Sequence, residues 1–244
     1  MGLGLELQQL LWWILTLQTQ KMIKLVAFDW NGTILADMQA VHKADNKVLK
    51  SMGAKPVDLK TLQEKYDVPI VKYFISVGVK EETIIENTKL NRKVFYENYE
   101  KEAKNARTRS HAKTVLEWME TRGINRIVFS NNTLESIQGH AKRLRIFGYF
   151  KKILAASLPG LALSARTKNV MLQEYIKENG ILPEDILIVG DTIEEIQIAK
   201  SLGSMVCSIT HGNCSTRRLK AAKPDYLISD LGQMINIIRQ INSV

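Results

Sequence analysis

The stretch that decides the fold is residues 25–33, which read Leu-Val-Ala-Phe-Asp-Trp-Asn-Gly-Thr. Four apolar residues in a row, ended by a carboxylate and a turn that contains glycine, indicate a short strand buried on both faces. Strands of this kind belong to parallel sheets that carry helices on both sides. In such sheets ligands bind beyond the carboxyl ends of the strands, so Asp29 is a candidate functional residue.

Similar apolar runs recur along the rest of the chain, separated by segments with helical spacing. The runs lie at residues 127–129, 153–155, 186–189, 205–207 and 226–228. The helical segments end at Gly123, Gly180 and Gly203, and glycine suits the C-terminus of a helix. Repeated alternation of strand and helix predicts an α/β, Rossmann-like core built on a parallel sheet.

The alternation stops after the first strand. Residues 38–108 show helical spacing without a clear buried strand, and the stretch is far longer than an ordinary strand-to-helix connection. We therefore expect an inserted α-helical cap domain at 38–108. The α/β core then comprises residues 22–37 and 109–244.

Residues 1–21 form a separate hydrophobic extension with an apolar run at 10–15. The run is shorter than the roughly 20 apolar residues of a membrane-spanning helix, and it lacks the features of a secretory signal. Three interpretations stay open: an interfacial or partner-binding helix, a helix docked on the domain, or a non-native extension. Met22, directly before the first strand, favours the third. A membrane is expected as a partner only if this extension is native and exposed.

The composition excludes several classes of protein. The hydrophobic share of 45% supplies enough apolar mass for a core, which excludes disorder as the main state. The net charge of +9 is spread along the chain without a long basic run, so we expect a solvated surface and no nucleic-acid partner. Cys207 and Cys214 cannot form a disulfide framework, which indicates free thiols and a cytoplasmic protein.

Polar side chains stand at three of the predicted strand ends. Asp29 follows the first strand, Ser130 and Asn131 follow the second, and Asp191 follows the fourth. Lys168 begins the helix that precedes this fourth strand. Because carboxyl ends of parallel strands share one edge of the sheet, these groups are expected to converge there.

The set suits phosphoryl transfer. A carboxylate can attack phosphorus to form an acyl phosphate, and a second carboxylate can hold Mg²⁺, which prefers oxygen ligands. A hydroxyl and an ammonium can neutralise the phosphate oxygens. Taken singly, each residue has an ordinary interpretation: a helix cap or turn for the aspartates and the serine, a surface position for the lysine. Their ordered occurrence favours the chemical interpretation.

From Ile23 to the C-terminus the sequence resembles the haloacid dehalogenase-like hydrolases, particularly the phosphoglycolate phosphatase-like members with a helical cap. The resemblance rests on Phe-Asp-Trp-Asn-Gly-Thr at 28–33, Ser-Asn at 130–131 and Val-Gly-Asp-Thr-Ile-Glu-Glu at 189–195. It implies that Asp29 is the nucleophile and a Mg²⁺ ligand, with the backbone carbonyl of Asn31 and the carboxylate of Asp191 as further ligands.

The resemblance also implies roles for the remaining candidates. Thr33 would support the nucleophile loop, Ser130 and Asn131 would contact the phosphate, and Lys168 would pair with both phosphate and nucleophile. Glu195 would reach the metal through water, with Glu194 as the alternative if the loop is shifted by one residue. The helical insert would close over the site and select the substrate.

One departure concerns Asn31. Phosphatases of the family usually carry an aspartate two residues after the nucleophile, as general acid and then general base. An amide has no titratable proton near neutral pH, and general acid–base assistance is typically worth about 10²–10⁴-fold. We expect a Mg²⁺-dependent phosphatase of a small phosphorylated metabolite, monomeric or homodimeric. The alternative is a catalytically impaired relative that binds a phosphorylated ligand or a partner protein.

Overall fold

The computed structural model describes residues 22–156 and 168–243, so the prediction for residues 1–21 lies outside the described residues. The strands are β1 (Leu25–Phe28), β2 (Leu35–Ala36), β3 (Arg107–Thr108), β4 (Asn125–Thr133), β5 (Lys152–Ala156), β6 (Ile186–Gly190), β7 (Met205–Ile209) and β8 (Tyr226–Ile228). Six of them form one sheet in the order β5-β4-β1-β6-β7-β8, and every neighbouring pair is parallel. The predicted α/β fold with a parallel sheet is confirmed.

Helices occupy the segments between the strands. They are α1 (Met38–Ser51), α2 (Leu59–Lys65), α3 (Ile70–Ser76), α4 (Glu81–Glu86), α5 (Thr88–Ala103), α6 (Ala112–Glu120), α7 (Leu134–Arg143), α8 (Lys168–Glu178), α9 (Ile193–Leu202), α10 (Thr216–Ala222) and α11 (Gln233–Ile241). Gly203 follows α9 with a φ of 76°, a left-handed conformation that glycine adopts without a Cβ penalty. Among the described residues, no helix combines the length and the apolar character needed to cross a bilayer.

Strand β1 shows why the sheet is covered on both sides. Its four residues are fully buried, but they alternate between two separate apolar clusters. Val26 and Phe28 join the cluster of α6, α7 and α11, whereas Leu25 and Ala27 join that of α8, α9 and α10. The period-two alternation of a strand therefore anchors helices on both faces, and it fixes Asp29 at the central edge of the sheet.

Strand β4 is longer than the sequence predicts. The apolar run ends at Phe129, yet the strand continues to Thr133. Its pairing with β5 shifts register between Ser130 and Thr133, which is the behaviour of a β-bulge. The irregular segment places Asn131 and Asn132 at the carboxyl edge of the sheet. Because both residues are polar, the apolar pattern that predicts a strand stops before them.

The inserted helices α1–α5 build their own apolar clusters. One joins residues of α1, α2, α3 and α4 around Leu49, Leu62 and Tyr73, and the other pairs α1 with α5 around Ala44 and Tyr99. The chain enters and leaves this helical group through the antiparallel ribbon of β2 and β3. The expected boundaries at 37/38 and 108/109 fall beside this ribbon, and we retain the division into cap and core as a working proposal.

Candidate active site

Asp29 and Lys168 meet at the carboxyl edge of the sheet. The Lys168 ammonium lies 3.2 Å from Asp29 Oδ1 and 2.8 Å from Glu194 Oε2, and it also contacts Glu195 Oε1. These three partners match the three protons of an ammonium group. Lys168 is 3% exposed, so its charge is neutralised inside the protein rather than by water.

The pKa values in this cluster follow from burial and mutual repulsion. Burial raises the pKa of Asp29, and although Lys168 opposes this, the charges of Glu195 and Asp191 add to it. Burial alone would lower the pKa of Lys168, but the surrounding carboxylates raise it well above its usual value. The lysine is therefore a permanent cation, which suits a group that must hold a negatively charged phosphate.

Asp191 is positioned by groups from two loops, one after β1 and one after β7. Its Oδ1 accepts a hydrogen bond from the Thr33 hydroxyl at 3.0 Å, and the same hydroxyl lies 3.4 Å from Asp29 Oδ2. Its Oδ2 accepts hydrogen bonds from the Asn213 backbone at 2.5 Å and side chain at 3.0 Å. Burial and the nearby Glu195 raise the pKa of Asp191 to about 7. Thr33 thus links the two aspartates that the sequence predicts to share a cation.

Gly32 and Gly212 lie so close to Asp191 that neither position has room for a side chain. A Cβ added at Gly32 would lie 2.3 Å from Asp191 Oδ2, and one at Gly212 would lie 2.2 Å from the same atom. Gly32 also has a φ of 74°, which disfavours other residues. The backbone therefore wraps this carboxylate closely from two sides.

Ser130 and the two asparagines after it occupy the bulged end of β4. Ser130 Oγ is buried and accepts a hydrogen bond from the Asn132 backbone at 3.2 Å. Asn131 Nδ2 donates to Glu194 Oε2 at 3.0 Å, which places this amide beside the Lys168 cluster. The structure thus brings Ser130, Asn131 and Lys168 to one edge with Asp29, as the sequence predicts.

The side chains of Asn31, Asp37 and Tyr99 form a triangle of hydrogen bonds. Asn31 Nδ2 donates to Asp37 Oδ2 at 2.5 Å and to the Tyr99 hydroxyl oxygen at 2.6 Å. The Tyr99 hydroxyl donates in turn to Asp37 Oδ2 at 2.6 Å. The side-chain amide oxygen Oδ1 of Asn31 accepts from Asn132 Nδ2 at 3.2 Å. Both amide protons of Asn31 are therefore committed to partners on the cap side of the loop.

Both carboxylate oxygens of Glu195 have protein partners. Its Oε1 contacts Lys168, while its Oε2 accepts hydrogen bonds from the Thr192 backbone at 3.0 Å and hydroxyl at 2.7 Å. The bond from the Thr192 backbone to Glu195 belongs to a capping box at the start of α9, in which the Thr192 side chain also accepts a hydrogen bond from the backbone of the first helical turn. Both oxygens are thus used to begin a helix and to position Lys168. The water-mediated metal role of Glu195 stays a prediction, as does the alternative with Glu194, whose Oε2 binds Lys168 and Asn131.

Sequence reasoning missed Arg109 and Asn213. The Arg109 guanidinium donates to the backbone carbonyls of Gly32, Thr210 and His211 at 2.7–3.2 Å, so it ties the nucleophile loop to the loop after β7. Asn213 lies beyond the carboxyl end of β7, and that position is the one signal that could have identified it. Arg109 follows the ribbon strand β3 and carries no comparable signal.

The cap covers this edge at α2. Gln63 Nε2 donates to the Gly212 carbonyl at 2.8 Å, and the Ser215 backbone donates to the Gln63 carbonyl at 2.9 Å. A cavity of about 580 Å³ remains between the cap and the catalytic edge. Asn31, Asn131, Asn132 and Glu194 line it from the core side, so it opens onto the predicted site.

Comparisons with known proteins agree with this arrangement. A sequence model of the family described as haloacid dehalogenase-like hydrolase matches residues 26–209. A Clostridium perfringens protein that carries a pyrophosphatase name is 23% identical, with 91% of this chain and 100% of that protein covered. A phosphoglycolate phosphatase of Pseudomonas fluorescens is 22% identical, with 87% of this chain and 78% of that protein covered.

A solved structure shows the same fold. The haloacid dehalogenase-like family hydrolase from Streptococcus pneumoniae superposes with a TM-score of 0.74 at 21% identity, covering 88% of this chain and 98% of that one. The family match spans residues of β1 to β7 and therefore includes Asp29, Ser130, Lys168 and Asp191. The chain belongs to the haloacid dehalogenase-like hydrolase family.

Proposed function

We propose that this protein is a phosphatase that cleaves a small phosphorylated metabolite through an aspartyl phosphate on Asp29. The observation that carries the proposal is the position of the Asp29 carboxylate, buried at the end of β1 with Oδ1 3.2 Å from Lys168 Nζ. Its Oδ2 receives only a long contact of 3.4 Å from the Thr33 hydroxyl. One oxygen is thus held in place while the other keeps lone pairs available for attack. The phosphatase names of its relatives support the same activity.

The proposed reaction has two displacement steps. Asp29 Oδ2 attacks phosphorus, an acyl-phosphate bond forms, and the bond from phosphorus to the leaving oxygen breaks. Water then attacks the phosphoryl group, which releases inorganic phosphate and restores the Asp29 carboxylate. The positive charge of Lys168 and the hydroxyl of Ser130 stabilise the phosphate oxygens during both steps, since charge on those oxygens redistributes in each transition state.

The residues present fit a magnesium ion. Asp29, Asp191 and the Asn31 carbonyl offer the hard oxygen ligands that Mg²⁺ prefers. Across the described ranges, no group of three or more His, Cys, Asp or Glu side chains is arranged to hold a metal, so binding here would depend on two carboxylates and a carbonyl. The buried cluster also has four carboxyls against one ammonium, and a divalent cation would offset that excess. When bound, the ion would polarise the phosphate and shield it from the nucleophile's charge.

Asn31 restricts which leaving groups depart readily. Its amide protons are bound to Asp37 and Tyr99, and an amide does not titrate near pH 7. Leaving groups that need no proton, such as acyl or aryl oxygens, are therefore favoured over alkoxides. The same residue supports the second candidate, a catalytically impaired protein that binds a phosphorylated ligand or a partner protein without turnover.

The test measures phosphate release from acyl, aryl and alkyl phosphates with Mg²⁺. We expect turnover with the first two, and a loss of about 10³-fold or more in Asp29→Asn, the scale seen when a nucleophile is removed. Glu184→Gln, a carboxylate-to-amide change at an exposed position, is the matched control. Full activity in Asp29→Asn would refute the mechanism. A silent native protein that becomes active as Asn31→Asp would instead support the impaired candidate.

We also retain the cytoplasmic location as a proposal. Cys207 and Cys214 are both free and buried, and burial raises their pKa values to about 12 and about 11. Thiols of this kind are unreactive and need no oxidising compartment. The oligomeric state, monomer or homodimer, stays a prediction.

A further inference from the structure

The cavity between cap and core is much larger and less polar than a phosphate site needs. Its volume of about 580 Å³ falls in the range of pockets that hold drug-sized ligands. The cap contributes mainly apolar and aromatic side chains, among them Val41, Val48, Ile70, Phe74 and Phe95. Asn31, Asn131 and Asn132 of the catalytic edge line this space, whereas Asp29 does not, so the cavity adjoins the phosphoryl position and is available for the rest of a substrate.

Asp45 is an acidic residue among the mainly apolar cap residues that line this cavity. It lies on the buried face of α1 and is 1% exposed. Its Oδ2 is buried and has no hydrogen-bond partner among the described residues. Burial, without any opposing charge, raises the pKa of Asp45 to about 8. An unpartnered buried carboxyl costs the fold free energy, so its presence requires a reason.

The other groups near Asp45 do not satisfy it. Its charge acts on the hydroxyls of Tyr66 and Tyr73, and the Tyr73 hydroxyl is itself buried without a partner. Arg92 of α5 lines the same cavity, yet it does not contribute to the pKa of Asp45. Asn91, also on α5, lines the cavity, and its Oδ1 is a second buried acceptor without a hydrogen-bond partner among the described residues.

The core wall adds acceptors of the same kind. Asn169 Oδ1 and Asn213 Oδ1 are buried without a hydrogen-bond partner in the described part of the chain, and both residues line the cavity. The lining residues thus combine an apolar surface with several buried acceptor oxygens that no donor of residues 22–156 and 168–243 reaches. The ligand complementary to such a surface is apolar in bulk and brings hydrogen-bond donors of its own.

We propose that this cavity binds the leaving group of the substrate, and that the leaving group is a largely apolar body that carries an amine bound by Asp45. This inference rests on the proposed phosphatase function, because the phosphoryl end of the same substrate must reach Asp29. It separates the chain from relatives named phosphoglycolate phosphatase. A two-carbon acid would leave most of the cavity unfilled and would place a carboxylate among acceptors.

Direct binding tests the inference without requiring turnover. Four phosphonates that share one arylalkyl body and end in an amine, a hydroxyl, a methyl group or a carboxylate are titrated calorimetrically with Mg²⁺ present. We expect the amine to bind about 10- to 100-fold more tightly than the methyl compound, the range of a hydrogen bond to a charged group. The carboxylate should bind most weakly. A preference for the hydroxyl over the amine would overturn the choice of an amine.

Two substitutions of Asp45 test whether this residue causes the preference for the amine. In Asp45→Asn the ratio of amine to methyl affinity should fall to within about threefold of one, which is below 1 kcal/mol. Asp45→Leu, which suits an apolar wall, provides a second variant with the same expectation. Glu86→Gln changes an exposed carboxylate of the cap and should leave the ratio unchanged. A ratio near one in the native protein, or a ratio that survives both Asp45 variants, would refute the inference.

Hydrolysis of p-nitrophenyl phosphate distinguishes a failure of the cavity inference from a failure of the proposed phosphatase function. Release from this compound reports the phosphatase activity alone, since it carries no amine. If it is cleaved in an Asp29-dependent way while the phosphonates show no amine preference, the inference fails and the proposed function stands. If the amine preference is present and no phosphate is released from any ester, the inference about the cavity stands and the phosphatase proposal fails.

Discussion

The catalytic edge and the cap cavity bury carboxyl groups in opposite ways. At the edge, Asp29, Glu194 and Glu195 share the ammonium of Lys168. In the cap, Asp45 is 1% exposed, and its Oδ2 has no hydrogen-bond partner in the part of the chain that the structure describes. Partners supplied by the protein fix a geometry before any ligand arrives, whereas a missing partner leaves a place for one. The first arrangement suits chemistry that is the same for every substrate, and the second suits recognition of a particular one.

The largest loss of stability is expected when the positive charge of Lys168, which the edge carboxylates share, is removed. Lys168→Met leaves the buried carboxylates of Asp29 and Glu195 and the partly buried one of Glu194 without this counter-charge, and it should lower the free energy of unfolding by about 3–5 kcal/mol. Urea denaturation measures this change. Lys177→Met, at an exposed position of the same helix α8, is the control and should be nearly neutral. Equal stability of the two variants would contradict the view that Lys168 neutralises this edge.

The Asn31 triangle offers a sharper test of the same edge. Asn31→Asp places a carboxyl where an amide nitrogen now lies 2.5 Å from Asp37 Oδ2, and the repulsion should lower stability by about 2–4 kcal/mol. The exchange Asn31→Asp with Asp37→Asn keeps one carboxyl and one amide, so it should recover most of the loss. Chemical denaturation at pH 7 compares the two variants. If the exchanged pair were no more stable than Asn31→Asp alone, charge would not be the cause.

The cavity should respond in the opposite direction, because Asp45→Asn is expected to stabilise the protein. Burial raises the pKa of Asp45 from 3.8 to about 8, while the unfolded chain keeps the lower value. Below about pH 4 the carboxyl is protonated in both states and the substitution has no pH-dependent effect. As pH rises to about 8, the native state must retain a proton that the unfolded state releases, so native stability falls and the variant's does not.

The gain in Asp45→Asn should therefore grow between about pH 4 and pH 8. We expect about 1–3 kcal/mol at pH 8, since the amide that replaces the carboxyl is also unpartnered. Thermal unfolding at a series of pH values measures it. Glu86→Gln, an exposed change in the same cap, should show no such trend. A stability gain that is independent of pH would mean that the pKa of Asp45 is not raised in the folded protein, and it would contradict the view that this carboxyl is unpartnered.

The smallest effect is expected at the exposed contact between cap and core. Arg217 Nη2 lies 2.5 Å from Glu64 Oε2, and the arginine side chain is largely exposed. Solvent screens such a pair and holding two long side chains together costs entropy, so Arg217→Ala should leave the unfolding midpoint unchanged within error. A clear loss of stability would show that this contact holds the cap closed in a way that its exposure does not suggest.

Much of the core could be predicted from local pattern. The four apolar residues of β1 reveal a fully buried strand because helices cover both faces of a parallel sheet. The meeting of Asp29, Ser130 and Asp191 at one edge follows from the same logic, since parallel strands end together. The end of β4 was predicted incorrectly, because the bulged residues Asn131 and Asn132 are polar and the apolar pattern stops before them.

The partners of these residues could not be predicted in this way. Asn31 binds Tyr99 across 68 positions, and Lys168 binds Asp29 across 139 positions. A hydrogen bond depends on distances of a few tenths of an ångström, and sequence spacing carries no such information over those separations. Arg109, which ties two loops together through backbone carbonyls, illustrates the same limit.

The sequence by itself determined the parallel sheet, the helical insert and the order of the candidate catalytic residues, because strand and helix periodicities are local properties of the chain. The tertiary structure alone decided that Lys168 has three carboxylate partners, that both amide protons of Asn31 are bound, and that Asp45 faces an apolar cavity. Whether a buried polar group is satisfied depends on which distant segments pack against it, and packing exists only in the folded chain.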